Sequence, residues 1–122
     1  MSDTQKSLVA SRPGVLSLNI REKSALYAAY MSFLKGGGIF IPTNKSYRIG
    51  DEVFMLLSLL GDPNKLPVAG RVVWITPAGN QGNKLRGIGV QFNNDESGTA
   101  ARIKIEGLLG GYLYSSRPTH TM

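Results

Sequence analysis

The segment Phe33–Phe40, with the sequence FLKGGGIF, is the part of the chain with residue types that could hold a ligand. Three successive glycines can expose backbone N–H groups, and such groups can surround a phosphate. The segment matches neither the P-loop pattern GxxxxGK[ST] nor the dinucleotide pattern GxGxxG. Two interpretations stay open: a phosphate-binding loop, or a tight turn before the strand IFIPT in which glycine supplies a positive φ. Composition favours the turn.

Residues for catalysis or metal binding are scarce. The only histidine, His120, lies in a polar segment close to the end of the chain, and there is no cysteine. Nucleophilic catalysis needs a base beside a nucleophile, and a metal site needs several ligands at regular spacing. The acidic pairs Asp51–Glu52 and Asp95–Glu96 are expected to open a strand and a helix. We therefore predict a protein that is not an enzyme, with no catalytic residues, no metal and no cofactor.

The bulk composition fits one soluble domain. The chain has 122 residues, 42% of them hydrophobic, and a formal net charge of +6, which suits a single core. The basic residues are scattered, which is typical either of a solvated surface or of a surface that meets an anionic partner. No segment is long and apolar enough for a membrane span or a signal peptide, so a cytoplasmic protein is expected.

Short apolar runs separated by glycine-rich turns predict a mostly β fold. A segment rich in aromatic residues, 25–34, fits either a helical face or a short helix that runs into an extended piece. Residues 96–111 are predicted to be helical, capped by Asp95 or Ser97 and ended by Gly110 and Gly111. The run 51–60 is apolar on both faces and is expected to be a central strand. The predicted strands are 15–20, 37–43, 51–60, 66–76 and 85–92.

The whole chain is expected to hold about six short strands and one helix, which suggests a small antiparallel β-barrel with a C-terminal helix. We expect residues 1–12 to form a flexible arm and 13–110 to form the domain. Within it the barrel extends to about 93 and the helix covers about 95–110. Residues 111–122 are expected to form a tail with too little apolar content to fold alone.

The aromatic residues near the glycine turn suggest a second function. Tyr27, Tyr30 and Phe33 lie close together in the sequence, beside Met31. An exposed aromatic patch often anchors a protein partner, but the same residues could pack under the helix, and the sequence leaves both possibilities open. Trp74 lies in the middle of a predicted strand, where a core position is favoured.

Three segments together resemble the PilZ-domain family, and within it the bacterial proteins of type IV pilus assembly. They are GGGIFIPTNKSYRIGDEVFMLLSLL, LPVAGRVVWITPAGNQGNKLRGIGVQF and the terminal THTM. The resemblance covers about residues 14–122. It implies a six-stranded antiparallel PilZ-type β-barrel with a C-terminal helix, in agreement with the predicted elements.

Most PilZ domains bind cyclic di-GMP through two motifs, which the resemblance locates in this chain. The motif Asp/Asn-x-Ser-x-x-Gly falls on Phe33–Gly38, where only Gly38 matches; Phe33 and Lys35 replace the acidic or amide residue and the serine. The motif Arg-x-x-x-Arg is missing, since no arginine has another arginine four residues on. The resemblance therefore implies a degenerate motif that does not bind cyclic di-GMP. The alternative is a direct cyclic di-GMP receptor.

The resemblance implies an adaptor in type IV pilus biogenesis and twitching motility. Its expected partners are the pilus extension ATPase PilB and a FimX-type GGDEF–EAL protein, with no nucleic acid and no direct membrane insertion. The protein would be cytoplasmic and recruited to the inner-membrane pilus machinery. The predicted partner-binding residues form two surfaces: Leu26, Tyr27, Tyr30, Met31 and Phe33 supported by Trp74, and the tail residues Tyr112, Tyr114, Pro118, Thr119, His120, Thr121 and Met122.

Overall fold

A computed structural model describes residues 15–77 and 86–111 of the chain. These residues form five strands and two helices. In chain order the elements are β1 (Val15–Ile20), α1 (Lys23–Ala29), β2 (Gly38–Pro42), β3 (Glu52–Leu59), β4 (Leu66–Ile75), β5 (Gly87–Phe92) and α2 (Glu96–Leu109).

The strands form one curled sheet, a half-barrel, in the order β1-β3-β4-β5-β2. The pairs β3–β4, β4–β5 and β2–β5 are antiparallel. β1, however, lies parallel to β3, with Val15 opposite Phe54. The expected all-antiparallel pairing is therefore wrong for this pair, because the chain crosses through α1 and β2 before it returns as β3. Five strands, rather than about six, occur within the described residues.

A single bridge extends the sheet beyond β2. Tyr30 pairs with Ile39 in the antiparallel sense, and the Met31 N–H donates to the Gly38 carbonyl at 2.8 Å. Residues 30–39 thus form a hairpin around the glycine turn. The ambiguous segment 25–34 is a short helix that runs into an extended piece, since α1 ends at Tyr30 with φ −73° and ψ 132°.

The core lies between the inner face of the curled sheet and the two helices. β3 contributes Val53, Met55, Leu57 and Leu59 to it. β3 has neighbours on both sides, so its predicted central position is confirmed. Its outer face also carries apolar residues, but it is not fully buried, since Phe54 is 57% exposed. β2 from Gly38 to Ile41 and β5 from Gly87 to Val90 are buried on both faces.

Helix α2 begins and ends as its sequence predicts. The Asp95 carboxylate accepts a hydrogen bond from the Gly98 N–H at 2.9 Å, and Gly110 ends the helix with φ 49°. α2 turns Ala101, Ile105 and Leu109 toward the core. Within residues 15–77 and 86–111, no helix is long and apolar enough to cross a membrane.

Candidate binding surface at the glycine turn

The glycine turn is a tight backbone reversal. Gly36 and Gly37 have φ values of 79° and 84°, a region that glycine adopts without steric cost. The Gly37 N–H donates to the Leu34 carbonyl at 2.8 Å, and the Gly37 carbonyl accepts from the Phe92 N–H at 3.0 Å. Because both polar groups of Gly37 bond within the protein, its N–H does not point freely at a ligand. The geometry favours the turn interpretation of the three glycines.

Gly38, the one residue that fits the family motif, is required by packing. A β-carbon at this position would lie 2.6 Å from the Val90 carbonyl oxygen and 2.7 Å from a methyl group of Leu34. Backbone atoms cannot move aside for a β-carbon without a loss of stability. Gly38 therefore has a structural reason to be glycine whether or not the turn binds a ligand.

Three of the predicted partner-binding residues lie in the core. Leu26, Tyr30 and Met31 are 0%, 3% and 1% exposed, so the expectation that they belong to an exposed surface is wrong. Leu26 is a buried residue of α1, and Met31 packs over Gly89, where an added β-carbon would lie 2.9 Å from the Met31 sulfur. Phe33 is 54% exposed and Tyr27 is partly buried, so these two keep accessible surface.

Trp74 is partly buried and packs against the hydrophobic core. Its ring lies 6.0 Å from that of Phe40, at an interplanar angle of 64°, which is an edge-to-face contact. Phe40 itself is buried. At Gly87 the neighbouring strand approaches closely, because a β-carbon there would overlap the Ile41 carbonyl oxygen. Trp74 thus supports the strands behind the turn and keeps part of its ring accessible.

A partly buried hydrogen bond connects the turn hairpin to α2. The Tyr30 hydroxyl donates to a carboxylate oxygen of Glu106 at 2.6 Å, and the other oxygen pairs with Arg102 at 3.5 Å. Burial of the ring, followed by the bond to Glu106, raises the pKa of Tyr30 well above its usual range. The hydroxyl therefore stays protonated and acts as a donor. No local sequence signal pointed to this pair, because its members are far apart in the chain.

A cavity of about 650 Å³ lies beside the turn, between the turn, β4, the end of β5 and α2. The Gln91 side-chain amide donates to the Lys35 carbonyl at 2.9 Å and holds one wall of the cavity in place. Arg71 and Arg102 were not among the predicted site residues, since only the folded sheet brings them to the turn. The charged groups that line the cavity are Lys35, Arg71, Arg102 and Glu106.

The second predicted surface, the tail, lies outside the described residues. This applies to Tyr112, Tyr114, Pro118, Thr119, His120, Thr121 and Met122. Of the degenerate motif, Phe33 and Lys35 are exposed and Gly38 is buried. One of the three motif positions is thus a buried structural glycine. The other two carry exposed side chains whose chemistry differs from that of the family motif.

The fold and the cavity together define a class of protein: a small, mostly β domain with a polar surface site beside a glycine turn. The sequence model of the PilZ domain matches residues 13–111, and the chain belongs to the PilZ domain family. Domains of this family are generally non-catalytic binding domains, receptors or adaptors connected with cyclic di-GMP. A comparison with individual curated proteins gives no match. The narrower resemblance to pilus-assembly proteins stays a prediction.

Proposed function

We propose that this PilZ domain protein is a non-catalytic adaptor in type IV pilus biogenesis and twitching motility. It binds the pilus extension ATPase PilB and a FimX-type GGDEF–EAL protein, and it does not itself bind cyclic di-GMP. The observation that carries the proposal is the chemistry of the turn: Phe33 and Lys35 occupy the positions of the ligand-binding acidic or amide residue and the serine.

The missing arginine pair weighs most heavily against ligand binding. Arginine binds phosphate through a planar fork of N–H donors, whereas lysine supplies a single point charge. Each hydrogen bond to a charged group contributes roughly 1.5–3 kcal/mol. The loss of several such bonds lowers affinity by several factors of about ten. Lys35 alone does not replace them.

The exposed aromatic residues support a protein partner. Phe33 is 54% exposed on a turn held by backbone hydrogen bonds, and aromatic side chains on rigid supports are frequent anchors of protein interfaces. Tyr27 and Trp74 add further accessible aromatic surface. We propose Phe33 and Tyr27, supported by Trp74, as one partner surface, and the tail from Tyr112 to Met122 as the other.

The test combines calorimetry with partner binding. The full chain is titrated with cyclic di-GMP, and purified PilB and FimX-type protein are each tested for retention on the immobilised chain. We expect that cyclic di-GMP produces no heat of binding and that both partners are retained. Phe33→Ala is expected to weaken retention of at least one partner, whereas Ile49→Ala, which truncates a residue that is 63% exposed, serves as the matched control. Equal retention of both variants would contradict the placement of the surface.

A second candidate function is direct reception of cyclic di-GMP. The cavity favours it, because Lys35, Arg71 and Arg102 line a space of about 650 Å³ beside the turn. A dissociation constant in the low micromolar range or below for the full chain would replace the adaptor proposal. In that event, Arg71→Ala is expected to abolish the heat.

A further inference from the structure

The cavity beside the turn is lined by more cations than carboxylates, although Glu52 on β3 lies opposite Arg71 outside the lining. Its lining holds Lys35, Arg71 and Arg102 against a single carboxylate, Glu106. That carboxylate is already bound by the Tyr30 hydroxyl and by Arg102. In residues 15–77 and 86–111, no ion pair or side-chain hydrogen bond engages the Lys35 ammonium or the Arg71 guanidinium. The cavity therefore offers two cations to an external anion.

Gln91 links the backbone segments that carry the two cations. Arg71 on β4 pairs with Gln91 on β5, and the Gln91 side chain holds the Lys35 carbonyl at 2.9 Å. Side chains opposite each other on neighbouring strands have β-carbons about 4.5–5.5 Å apart. Lys35 and Arg71 therefore line the same cavity from different backbone segments. They act as two separate charges and not as one planar fork.

An exposed apolar residue lies next to the cavity lining in the chain. Phe33 is not itself a lining residue, but it lies between Ser32 and Leu34, which both line the cavity, and it is 54% exposed. A ligand that fits this surface carries more than one negative charge, spaced along its length, and an apolar group next to them. An extended acidic peptide has that pattern, because its carboxylates lie on successive side chains. The net charge of +6 also favours encounter with an acidic partner.

We propose that this cavity binds an extended acidic segment of a protein partner. Its carboxylates pair with Lys35 and Arg71, and an adjacent apolar side chain packs against Phe33. The inference rests on the adaptor function proposed above and names the chemistry of the partner segment at the turn. It assigns the cavity to carboxylates and not to the phosphates of a nucleotide.

The first experiment uses the full chain carrying Lys35→Glu with Arg71→Glu, called the cavity variant, and measures its affinity for the partners. The matched control carries Lys45→Glu with Lys65→Glu, two exposed lysines outside the cavity lining, so that both proteins have the same net charge. Affinity for the two proposed partners is measured between about 50 and 300 mM salt, where screening of exposed charges changes strongly. We expect about tenfold weaker binding of one partner by the cavity variant, a flatter salt dependence, and a much smaller change in the control.

The second experiment does not depend on the identity of the partners. A short synthetic peptide of alternating aspartate and leucine is titrated into the labelled full chain, and its asparagine–leucine counterpart serves as the control. We expect amide chemical-shift changes at Gly36, Gly37 and Gln91 with the acidic peptide only. These changes should disappear in the cavity variant, whereas thermal unfolding confirms that the variant is folded.

The outcomes separate this inference from the adaptor function. Equal losses in the cavity variant and the control would overturn the inference as an effect of overall charge. Unchanged partner binding by the cavity variant, without peptide shifts, would also overturn it and leave the adaptor function intact. Peptide shifts at the turn without binding of either protein would support the acidic-segment site and overturn the choice of partners. Cyclic di-GMP binding that depends on Lys35 and Arg71 would assign the cavity to a nucleotide.

Discussion

Gly38 and Lys35 lie three residues apart in one turn, yet their surroundings differ completely. Gly38 is enclosed by the Val90 carbonyl and the Leu34 side chain, whereas Lys35 is exposed and lines an open, charged cavity. The packed side of the turn fixes the residue type through steric contact. The exposed side sets no such limit, so its chemistry can differ from the family motif while the fold stays the same. A family glycine in such a turn is therefore poor evidence for a ligand.

The largest effect is expected on the packed side of the turn. Gly38→Ala should lower the free energy of unfolding by about 3 kcal/mol or more, because the new methyl group meets backbone atoms. Gly107→Ala on α2 is the matched control, since a β-carbon there meets nothing within 4 Å. The control should be neutral or more stable by up to about 1 kcal/mol. Urea unfolding measures both, and similar stabilities would contradict the packing argument.

The link between the turn hairpin and α2 should give the next largest effect. Tyr30→Phe removes the hydroxyl that donates to Glu106 and keeps the buried ring. We expect a loss of about 1–2 kcal/mol in unfolding free energy. Tyr47→Phe, which alters a partly buried tyrosine elsewhere, is the control. A Tyr30→Phe protein as stable as the control would show that the bond to Glu106 adds little.

The same hydroxyl predicts how stability depends on alkaline pH. The pKa of Tyr30 is raised in the folded protein above the ordinary value of 10.0, so the folded state holds this proton more tightly than the unfolded state. The stabilisation is fully present below pH 10 and is lost as the pH rises above 10 toward the folded-state pKa. Urea unfolding from pH 8 to 11 should show a steeper loss for the wild type than for Tyr30→Phe. If the unfolding free energies of the two proteins fall in parallel with pH, ionisation of Tyr30 is not the cause of the loss.

The smallest effect on stability is expected on the exposed side. Phe33→Asp combined with Lys35→Ser rebuilds the acidic and serine positions of the family motif beside Gly38. Both side chains are exposed, so the unfolding free energy should change by no more than about 0.5 kcal/mol. Calorimetry should still detect no cyclic di-GMP binding, because the arginine pair remains absent. Tight binding by this variant would show that the turn alone carries ligand recognition.

Local patterns predicted most of the elements. β4 was expected at 66–76 and occupies Leu66–Ile75, because its apolar residues lie between clear turn signals. The cap at Asp95 and the end of α2 at Gly110 also follow from local chemistry. The short α1 stayed ambiguous, since helical and extended patterns overlap over so few residues.

The contacts that build the cavity were not predictable in the same way. Arg71 reaches the turn only because β4 pairs with β5 in a register that sets it opposite Gln91. Arg102 reaches it through the packing of α2. Both depend on residues that are distant in the chain, and periodicity says nothing about which strands become neighbours. Burial of Tyr30 and Met31 likewise follows from the hairpin with β2, so the aromatic segment looked more exposed in sequence than it is.

The parallel pairing of β1 with β3 bears on how the chain folds. β3, β4 and β5 follow one another in the chain and pair as antiparallel neighbours, so their contacts close over short stretches of chain. β1 reaches β3 only after α1 and β2 have been traversed, and closing longer loops costs more chain entropy and slows folding. We expect the three-strand meander to form early and β1 to dock last. Until it docks, the hydrogen-bonding edge of β3 lies open to other chains, which makes the late intermediate the species most prone to aggregate.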